Sequence, residues 1–437
     1  MEKHNIMPIA GYYGPYRLVD ESTDISYDLV NEAVYEKIKD AGINLIVRCD
    51  NDYEAQPQII LDNLVLAEKY GVGLFVTDSR TKNPTGDCNL QDYFKDYDQY
   101  SSFKGIYIID EPCSEGYYPA AQWEKGERRI ADYAKQSSKI NACEDYIGYT
   151  NLYPMYDFMA RKHDIDTDYR AYLQEYLDTY NPKLISYDHY PFDHYLHPEN
   201  LGLDIAGVHQ VYFRNLSVVR ELALEKGIPF WSYVQAGANW NDDVKHDLET
   251  VNDTPTKSQM LWNINTALAY GAKGIQYFPL VQPYFFAYSK NGQPDYGRNG
   301  ILGADGEPTM WYEYAKYANQ LIAIVDEVLM NATSERVLAI GEKAQTETKI
   351  TESSFGKLQR VSATNGALIG VFQYQDTTAY YVVNYDMDMT DKATITLEFD
   401  EAQTFSVLSR EITTTDSGQT LCTLFLEAGD AALVVIQ

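Results

Sequence analysis

Eight short apolar segments recur along the first three quarters of the chain, and stretches with helical periodicity separate them. Such an alternation is typical of β-α units that build a parallel sheet. Eight units in about 325 residues fit a closed (β/α)8 barrel with enlarged loops better than an open sheet, which normally has fewer strands. The predicted strands are residues 9–13, 43–49, 72–77, 105–109, 146–152, 184–187, 229–234 and 274–278.

The stretches between these strands carry apolar and aromatic residues in steps of three and four, which places them on one face of a helix. One such face comprises Tyr169, Tyr172, Leu173, Tyr176, Leu177 and Tyr180. Glycine follows several of these stretches, as at Gly42 and Gly71, and it can adopt the left-handed conformation that ends a helix. We therefore expect helices between the barrel strands.

The pattern changes after residue 332, where short β-rich segments are separated by Asp, Gly and Thr turns without helical periodicity. This pattern predicts a small antiparallel β-sandwich. We expect a barrel domain over residues 1–332 and an all-β domain over residues 333–437 that packs directly on it. The predicted strands of the second domain are residues 367–373, 379–384, 393–399, 404–408, 421–426 and 431–436.

The charge of the chain argues against nucleic acid as a partner. The 437 residues include 35 Lys and Arg against 64 Asp and Glu, a formal net charge of -29, which would repel a phosphate backbone. No apolar run approaches the roughly 20 residues of a membrane helix, and the start lacks the apolar segment of a secretory signal. The five cysteines include no Cys-x-x-Cys pair. We expect a cytoplasmic protein with ordinary thiols and no membrane contact.

Polar side chains follow the predicted strands, at the barrel end where (β/α)8 enzymes carry their chemistry. Carboxylates, amides and aromatic rings dominate this rim, without a cluster of His or Cys. Two further candidates are Trp231, within the seventh strand, and Trp240, in a long loop expected to wall the pocket. The rim candidates are Tyr12, Asp50, Asp78, Asp110, Glu111, Asn151, Tyr153, Asp188, His189, Tyr190, Gln235 and Gln276.

The sequence has no Gly-x-Ser-x-Gly elbow, His-Glu-x-x-His motif, Gly-rich phosphate loop or early His-x-His pair. The remaining set of acids, amides and rings is the one that glycoside hydrolysis uses. One carboxylic acid protonates the leaving oxygen, a second carboxylate attacks or activates water, and rings stack on sugar faces. This chemistry requires no metal or cofactor.

The fourth strand ends in Asp110-Glu111-Pro112, which resembles the Asn-Glu-Pro signature of the large clan of (β/α)8 retaining glycosidases that includes the β-galactosidases. Segments 149–154, 186–191 and 305–312 are also similar to bacterial proteins of a β-galactosidase-like branch. The resemblance implies that Glu111 is the general acid/base, that Asp110 helps to hold a sugar 2-hydroxyl, and that the C-terminal part is an accessory β domain.

One position departs from that clan. Its nucleophilic Glu ends the seventh strand, where this chain has Gln235, and an amide cannot form the covalent intermediate. Asp188 is the preferred second carboxylate, with Asp78 and Asp50 in reserve. A separation of about 6.5 to 9.5 Å from Glu111 would indicate an inverting reaction, and about 5 to 5.5 Å a retaining one.

Each candidate also has a structural interpretation. Glu111 could be an exposed acid at a strand end, and Asp188 a turn residue ahead of Pro191. His189 and Tyr190 could pack at the edge of the core, Trp231 could fill the barrel, and Gln235 and Gln276 could bind loop backbone. Asp110 and Glu111 point to opposite sides of an extended strand unless the strand bends there.

The first functional hypothesis is a glycoside hydrolase that acts on a small or oligomeric carbohydrate, with Glu111 and Asp188 as its catalytic pair. The alternative is a carbohydrate-binding pseudoenzyme that lacks the seventh-strand nucleophile. A weaker third hypothesis is a lyase or isomerase that works through Asp, Glu and Tyr. The sugar, the linkage and the oligomeric state stay open.

Overall fold

The computed structural model describes residues 6–20, 25–49, 51–82, 90–114, 129–160, 163–192, 203, 205–237, 255–283, 289–290, 293–294, 299–411 and 413–437. The strands of the first part are β1 (Ile9–Tyr12), β2 (Arg17–Asp20), β3 (Ile25–Asp28), β4 (Leu45–Arg48), β5 (Gly73–Val76), β6 (Phe103–Asp110), β7 (Ile147–Leu152), β8 (Ile185–Tyr187), β9 (Phe230–Gln235), β10 (Ile275–Phe278), β11 (Ser289–Lys290) and β12 (Gln293–Pro294).

Eight of these strands close into a parallel barrel, in the order β1-β10-β9-β8-β7-β6-β5-β4. They are the eight strands that the sequence predicts, and the (β/α)8 fold is confirmed. Strands β2 and β3 form an antiparallel pair inserted after β1, and β11 and β12 form another after β10.

Helices lie between the barrel strands. They are α1 (Glu32–Asp40), α2 (Pro57–Tyr70), α3 (Leu90–Phe94), α4 (Ile130–Asn141), α5 (Met155–Ala160), α6 (Asp168–Tyr180), α7 (Ile205–Lys226), α8 (Lys257–Ala269) and α9 (Met310–Asn331), with a 3-10 turn at Ser79–Lys82. The predicted tyrosine-rich face of α6 is buried. No helix in the described ranges is long and apolar enough to cross a bilayer.

Local signals explain where these helices begin and end. Thr256 and Gln259 form a reciprocal capping box before α8, which satisfies backbone donors at the helix start. Gly71 ends α2 in the left-handed conformation, at φ 68°, as the sequence indicates.

Aromatic side chains fill the inside of the barrel. Phe75 and Trp231 stack with their ring centroids 6.4 Å apart and an interplanar angle of 5°. Above them the Tyr149 hydroxyl lies 2.9 Å from the Tyr233 hydroxyl and 2.7 Å from Ser186 Oγ. Because these groups occupy the axis, the barrel is a packed core and a ligand must bind at one of its ends.

The C-terminal part is an antiparallel sheet. Its elements are β13 (Thr333–Ile340), α10 (Glu342–Thr348), β14 (Leu358–Ala363), β15 (Ala367–Tyr374), β16 (Thr377–Asn384), β17 (Ala393–Leu408), β18 (Thr413–Leu426) and β19 (Ala431–Ile436). Strand β17 pairs with β14 through its first half and with β19 through its second half, so hydrogen bonds join all seven strands.

Two features of this part differ from the prediction. The apolar pattern does not predict strands β13 and β14 or the short helix α10, because many of their side chains are polar. The two predicted strands at 393–399 and 404–408 are one long strand, β17. The sheet contacts the barrel through α8, where the Tyr381 hydroxyl donates to Asn265 Oδ1 at 2.7 Å.

Candidate active site

Glu111 lies directly after β6, where the backbone bends. Its φ angle is 47°, in the left-handed region, and its backbone N–H donates to the carbonyl oxygen of Asn151 at 2.9 Å. This conformation costs a residue with a side chain roughly 1 to 2 kcal/mol, and such strain concentrates at functional sites. In an extended strand, Asp110 and Glu111 would point to opposite sides. Because the strand bends at Glu111, the two side chains are not bound by this alternation.

Three carboxyl groups meet at this bend. Asn151 Nδ2 donates to Asp110 Oδ1 at 3.1 Å. The Asp188 side chain, which follows β8, is within hydrogen-bonding contact of both Glu111 and Asn151. Asp188 is 8% exposed, whereas Asp110 and Glu111 are half-buried. The structure therefore brings together Asp110, Glu111, Asn151 and Asp188, four residues that the sequence places in the site.

Burial raises the pKa of Asp188 to about 8, and the negative charge of Asp110 acts in the same direction. Hydrogen bonds with Asn151 and Glu111 oppose these effects without cancelling them. Burial and a like charge both disfavour the ionised form of a carboxyl group. Burial and the charge of Asp110 therefore favour the protonated form of the Asp188 carboxyl at neutral pH.

The contact places the Asp188 carboxyl beside that of Glu111 rather than across an open gap from it. A protonated Asp188 is also a poor nucleophile or base. The arrangement suits a pair of carboxyl groups that retains one proton.

Aromatic rings line the barrel mouth beside the carboxyl groups. Tyr190 packs against Phe278 with centroids 5.4 Å apart, and Tyr13, at φ 63°, contacts Phe278 from the other side at 5.8 Å. Burial raises the pKa of Tyr190, and the charges of Asp188, Glu111 and Asp110 add to the shift. Tyr190 therefore lies close to all three acids.

Arg48 also lies at this mouth and, like Tyr13 and Phe278, is not among the predicted site residues. It ends β4, and its guanidinium carbon lies 5.2 Å from the Tyr13 ring centroid and 5.3 Å from that of Tyr107. Its Nη1 donates to the Tyr12 hydroxyl at 3.0 Å. Tyr12, a predicted site residue, is thus a partner of Arg48. The sequence signal was present, because Arg48 directly follows the apolar run Leu45–Val47.

Asp78 is a structural anion. It is fully buried, Arg80 Nη2 binds its Oδ2 at 2.7 Å, and the Tyr97 hydroxyl donates to the same oxygen at 3.2 Å. Its carboxylate is occupied, so it is not the reserve base. The other two reserve or loop candidates, Asp50 and Trp240, lie outside the described residues.

Trp231 and Gln276 lie inside the barrel, below the mouth. Trp231 packs against Gly274 at the amino-terminal ends of the strands, where a Cβ on that glycine would lie 2.7 Å from the indole. The Gln276 side chain accepts from the Tyr149 hydroxyl at 2.6 Å and donates to Ser186 Oγ at 2.7 Å. Both are core residues, which corrects their assignment as sugar ligands.

His189 turns away from the carboxyl groups. Its Nδ1 lies 2.9 Å from Asn215 Oδ1, and its ring packs between Tyr156 and Tyr212. Burial lowers the pKa of His189 to about 4, so the ring is neutral at neutral pH. These contacts favour the packing interpretation over sugar contact.

The remaining two candidates lie at the ends of their strands. The backbone N–H of Tyr153 donates to the Tyr172 hydroxyl at 3.1 Å, and its half-buried ring packs against the barrel core. Gln235 is 5% exposed, and its Nε2 donates to the carbonyl oxygen of Gly237 at 3.3 Å. Within the described ranges no group of three or more His, Cys, Asp or Glu is arranged to hold a metal ion.

No protein-family model and no curated protein matches the chain. Among solved structures, it is similar to a catalytic mutant of a GH42 β-galactosidase from G. stearothermophilus, with a TM-score of 0.51 and 9% identity over 99% of this chain and 98% of that chain. A β-galactosidase from the psychrophilic Marinomonas ef1 gives a TM-score of 0.46 and 12% identity over 75% and 62% of the two chains. An α-amylase from H. orenii gives 0.46 and 10% over 99% and 100%. At such identities the likeness concerns architecture, and the chain has the barrel fold found in glycoside hydrolases.

Proposed function

We propose that this protein is a glycoside hydrolase that acts on a small or oligomeric carbohydrate, with Glu111 as the proton donor to the glycosidic oxygen. One observation carries the proposal. The half-buried Glu111 carboxyl, on the bent end of β6, contacts the buried Asp188, whose pKa is raised to about 8. A pair that retains a proton at neutral pH supplies the general acid that this reaction needs.

In this proposal Asp188 is a positioning residue that shares its proton with Glu111. The second carboxylate is Asp110. Within the part of the chain that the structure describes, no Lys or Arg forms an ion pair with Asp110, and its one hydrogen bond comes from Asn151. An ionised carboxylate at this point would stabilise the positive charge that develops on the sugar ring, or would activate water.

The test compares Glu111→Gln with the wild-type protein on a panel of aryl α- and β-glycosides. Loss of the general acid typically costs about 10²- to 10⁴-fold in rate. The loss should be largest for phenyl glycosides, whose leaving oxygen needs a proton, and smallest for dinitrophenyl glycosides, which leave without one.

Glu54→Gln is the matched control, because Glu54 is an exposed carboxylate at the same end of the barrel, bound by Ser79 Oγ at 2.6 Å. Equal losses for good and poor leaving groups, or no loss at all, would remove Glu111 from the mechanism.

A second candidate function is sugar binding without cleavage, and Gln235 favours it. This amide ends β9, the strand on which the resembled clan carries its nucleophile. A binding protein would show saturable calorimetric titration with a sugar and release no product from any glycoside in the panel.

A further inference from the structure

Arg48 occupies the barrel mouth in an unusual setting for a cation. Its guanidinium faces the rings of Tyr12, Tyr13 and Tyr107, at 5.2 to 5.6 Å from their centroids. Among the described residues, its guanidinium makes one hydrogen bond, which goes to the Tyr12 hydroxyl. A guanidinium has five N–H donors, so most of them have no partner in that part of the chain.

No carboxylate lies within ion-pair distance of Arg48 in the described ranges. Arg80, after the neighbouring strand β5, is the contrast, because it pairs with both Asp78 and Asp96. A half-buried charge without a counter-ion is costly, and aromatic faces compensate only part of that cost. We therefore expect Arg48 to bind an anionic ligand.

The surroundings of Arg48 adjoin the carboxyl groups. The Tyr12 and Tyr107 hydroxyls lie 2.8 Å apart beside Arg48. Burial raises the pKa of both tyrosines, and the charge of Asp110 adds to each shift, which places Asp110 near the same pair. Tyr107 also shares β6 with Asp110. The tyrosine pair thus separates the cation of Arg48 from the acids at the end of β6.

We propose that the carbohydrate bound at this mouth is a uronic acid, whose ring carboxylate is held by Arg48 while its glycosidic oxygen faces Glu111. This inference rests on the proposed function. In a uronic acid the carboxylate is attached to the ring carbon that is joined through the ring oxygen to the anomeric carbon, so the carboxylate and the glycosidic oxygen belong to the same sugar ring.

The chemistry of the pocket favours a carboxylate over a phosphate or sulfate ester. A carboxylate is planar and accepts two parallel N–H bonds from a guanidinium. A phosphate ester carries up to two charges, and Asp110 and Glu111 would repel the second one.

The first measurement is calorimetric binding of free glucuronate and galacturonate against glucose and galactose. The second is kcat/KM for p-nitrophenyl glucuronides and galacturonides, in both anomers, against the matching glucosides and galactosides. The uronate should be preferred by on the order of 10- to 100-fold, the range for charge-assisted hydrogen bonds. In Arg48→Gln this preference should fall toward unity, and Arg48→Lys should restore part of it.

Arg17→Gln is the matched control, because Arg17 lies near the same rim and already pairs with Asp28 and Asp62. It should keep the uronate preference. A merely structural role of Arg48 would lower binding of uronates and neutral sugars equally, which would overturn the inference.

The outcomes separate the two proposals. Hydrolysis of neutral glycosides without uronate preference overturns the uronic acid inference and leaves the hydrolase. Selective uronate binding without hydrolysis of any glycoside supports the Arg48 site and rejects the hydrolase. Tighter binding of a 6-phosphate or 6-sulfate sugar than of the uronate also overturns the inference.

Discussion

Replacing Asp188 by Asn should stabilise the protein increasingly as the pH rises. The pKa of Asp188 is raised from 3.8 to about 8, so the folded state keeps a proton that the unfolded chain has lost. Wild-type stability therefore falls between about pH 4 and pH 8, by about 1.4 kcal/mol per pH unit. Asn has nearly the same shape and no charge, so the variant avoids this loss.

The expected gain of Asp188→Asn is about 4 kcal/mol at pH 7, from roughly three pH units of displacement, and rearrangement around the site makes this an upper limit. Urea unfolding of both proteins at pH 5, 6 and 7, followed by tryptophan fluorescence, measures the difference. All other titrating groups are present in both proteins, so their effects on the difference in the free energy of unfolding cancel to first order.

Two results would contradict this reasoning. The first is a stability difference between Asp188→Asn and wild type that stays constant from pH 5 to pH 7, which would mean that Asp188 is ionised in the folded protein. The second is an infrared difference spectrum at pH 7 without a protonated carboxyl band that the variant lacks.

Three further predictions concern stability. Gly370→Ala should lower the thermal midpoint, because the new Cβ would lie 2.3 Å from the Ala269 carbonyl oxygen, and overpacking of this kind costs about 1 to 3 kcal/mol. Asp78→Asn should cost about 1 to 3 kcal/mol in urea unfolding, because it removes the closer of the two carboxylates that pair with the partly buried Arg80. Burial acts to raise the pKa of Glu347, but its hydrogen bonds with His209 and Tyr385 and its charge interactions with His209 and Lys343 together outweigh burial, so the pKa is lowered. The stabilisation by this pair is thus present above the ordinary pKa of Glu347 and is lost as the pH falls through its lowered value, so the destabilisation by Glu347→Gln should shrink in acid.

The barrel could be predicted from the sequence because each of its strands is buried and nearly all apolar. Strand β13 could not, because charged residues such as Glu335 and Arg336 occupy its exposed positions and break the apolar run. The two segments predicted at 393–399 and 404–408 form the single strand β17 because it pairs with both β14 and β19. These partners lie far apart in sequence, so the pairing could not be predicted.

The carboxyl cluster was predicted in part for a similar reason. The position of a residue at a strand end identifies it as a rim candidate, as for Glu111. It does not show how far below the barrel mouth the side chain lies, and Gln276 is part of the core. Contact between Glu111 and Asp188 depends on the bend at Glu111, which no residue pattern announces. The role of Arg48 could not be predicted because its aromatic partners Tyr12, Tyr13 and Tyr107 lie on or next to other strands.

The left-handed backbone at Glu111 also bears on how such a protein would change over generations. Glycine and asparagine tolerate this conformation better than glutamate does, so replacements that abolish the acid would relieve strain. Random drift without selection for turnover would favour those two residues. A lineage that retains glutamate here maintains it against a stability gradient, so under the proposed role of Glu111 this position would distinguish relatives that hydrolyse glycosides from those that do not.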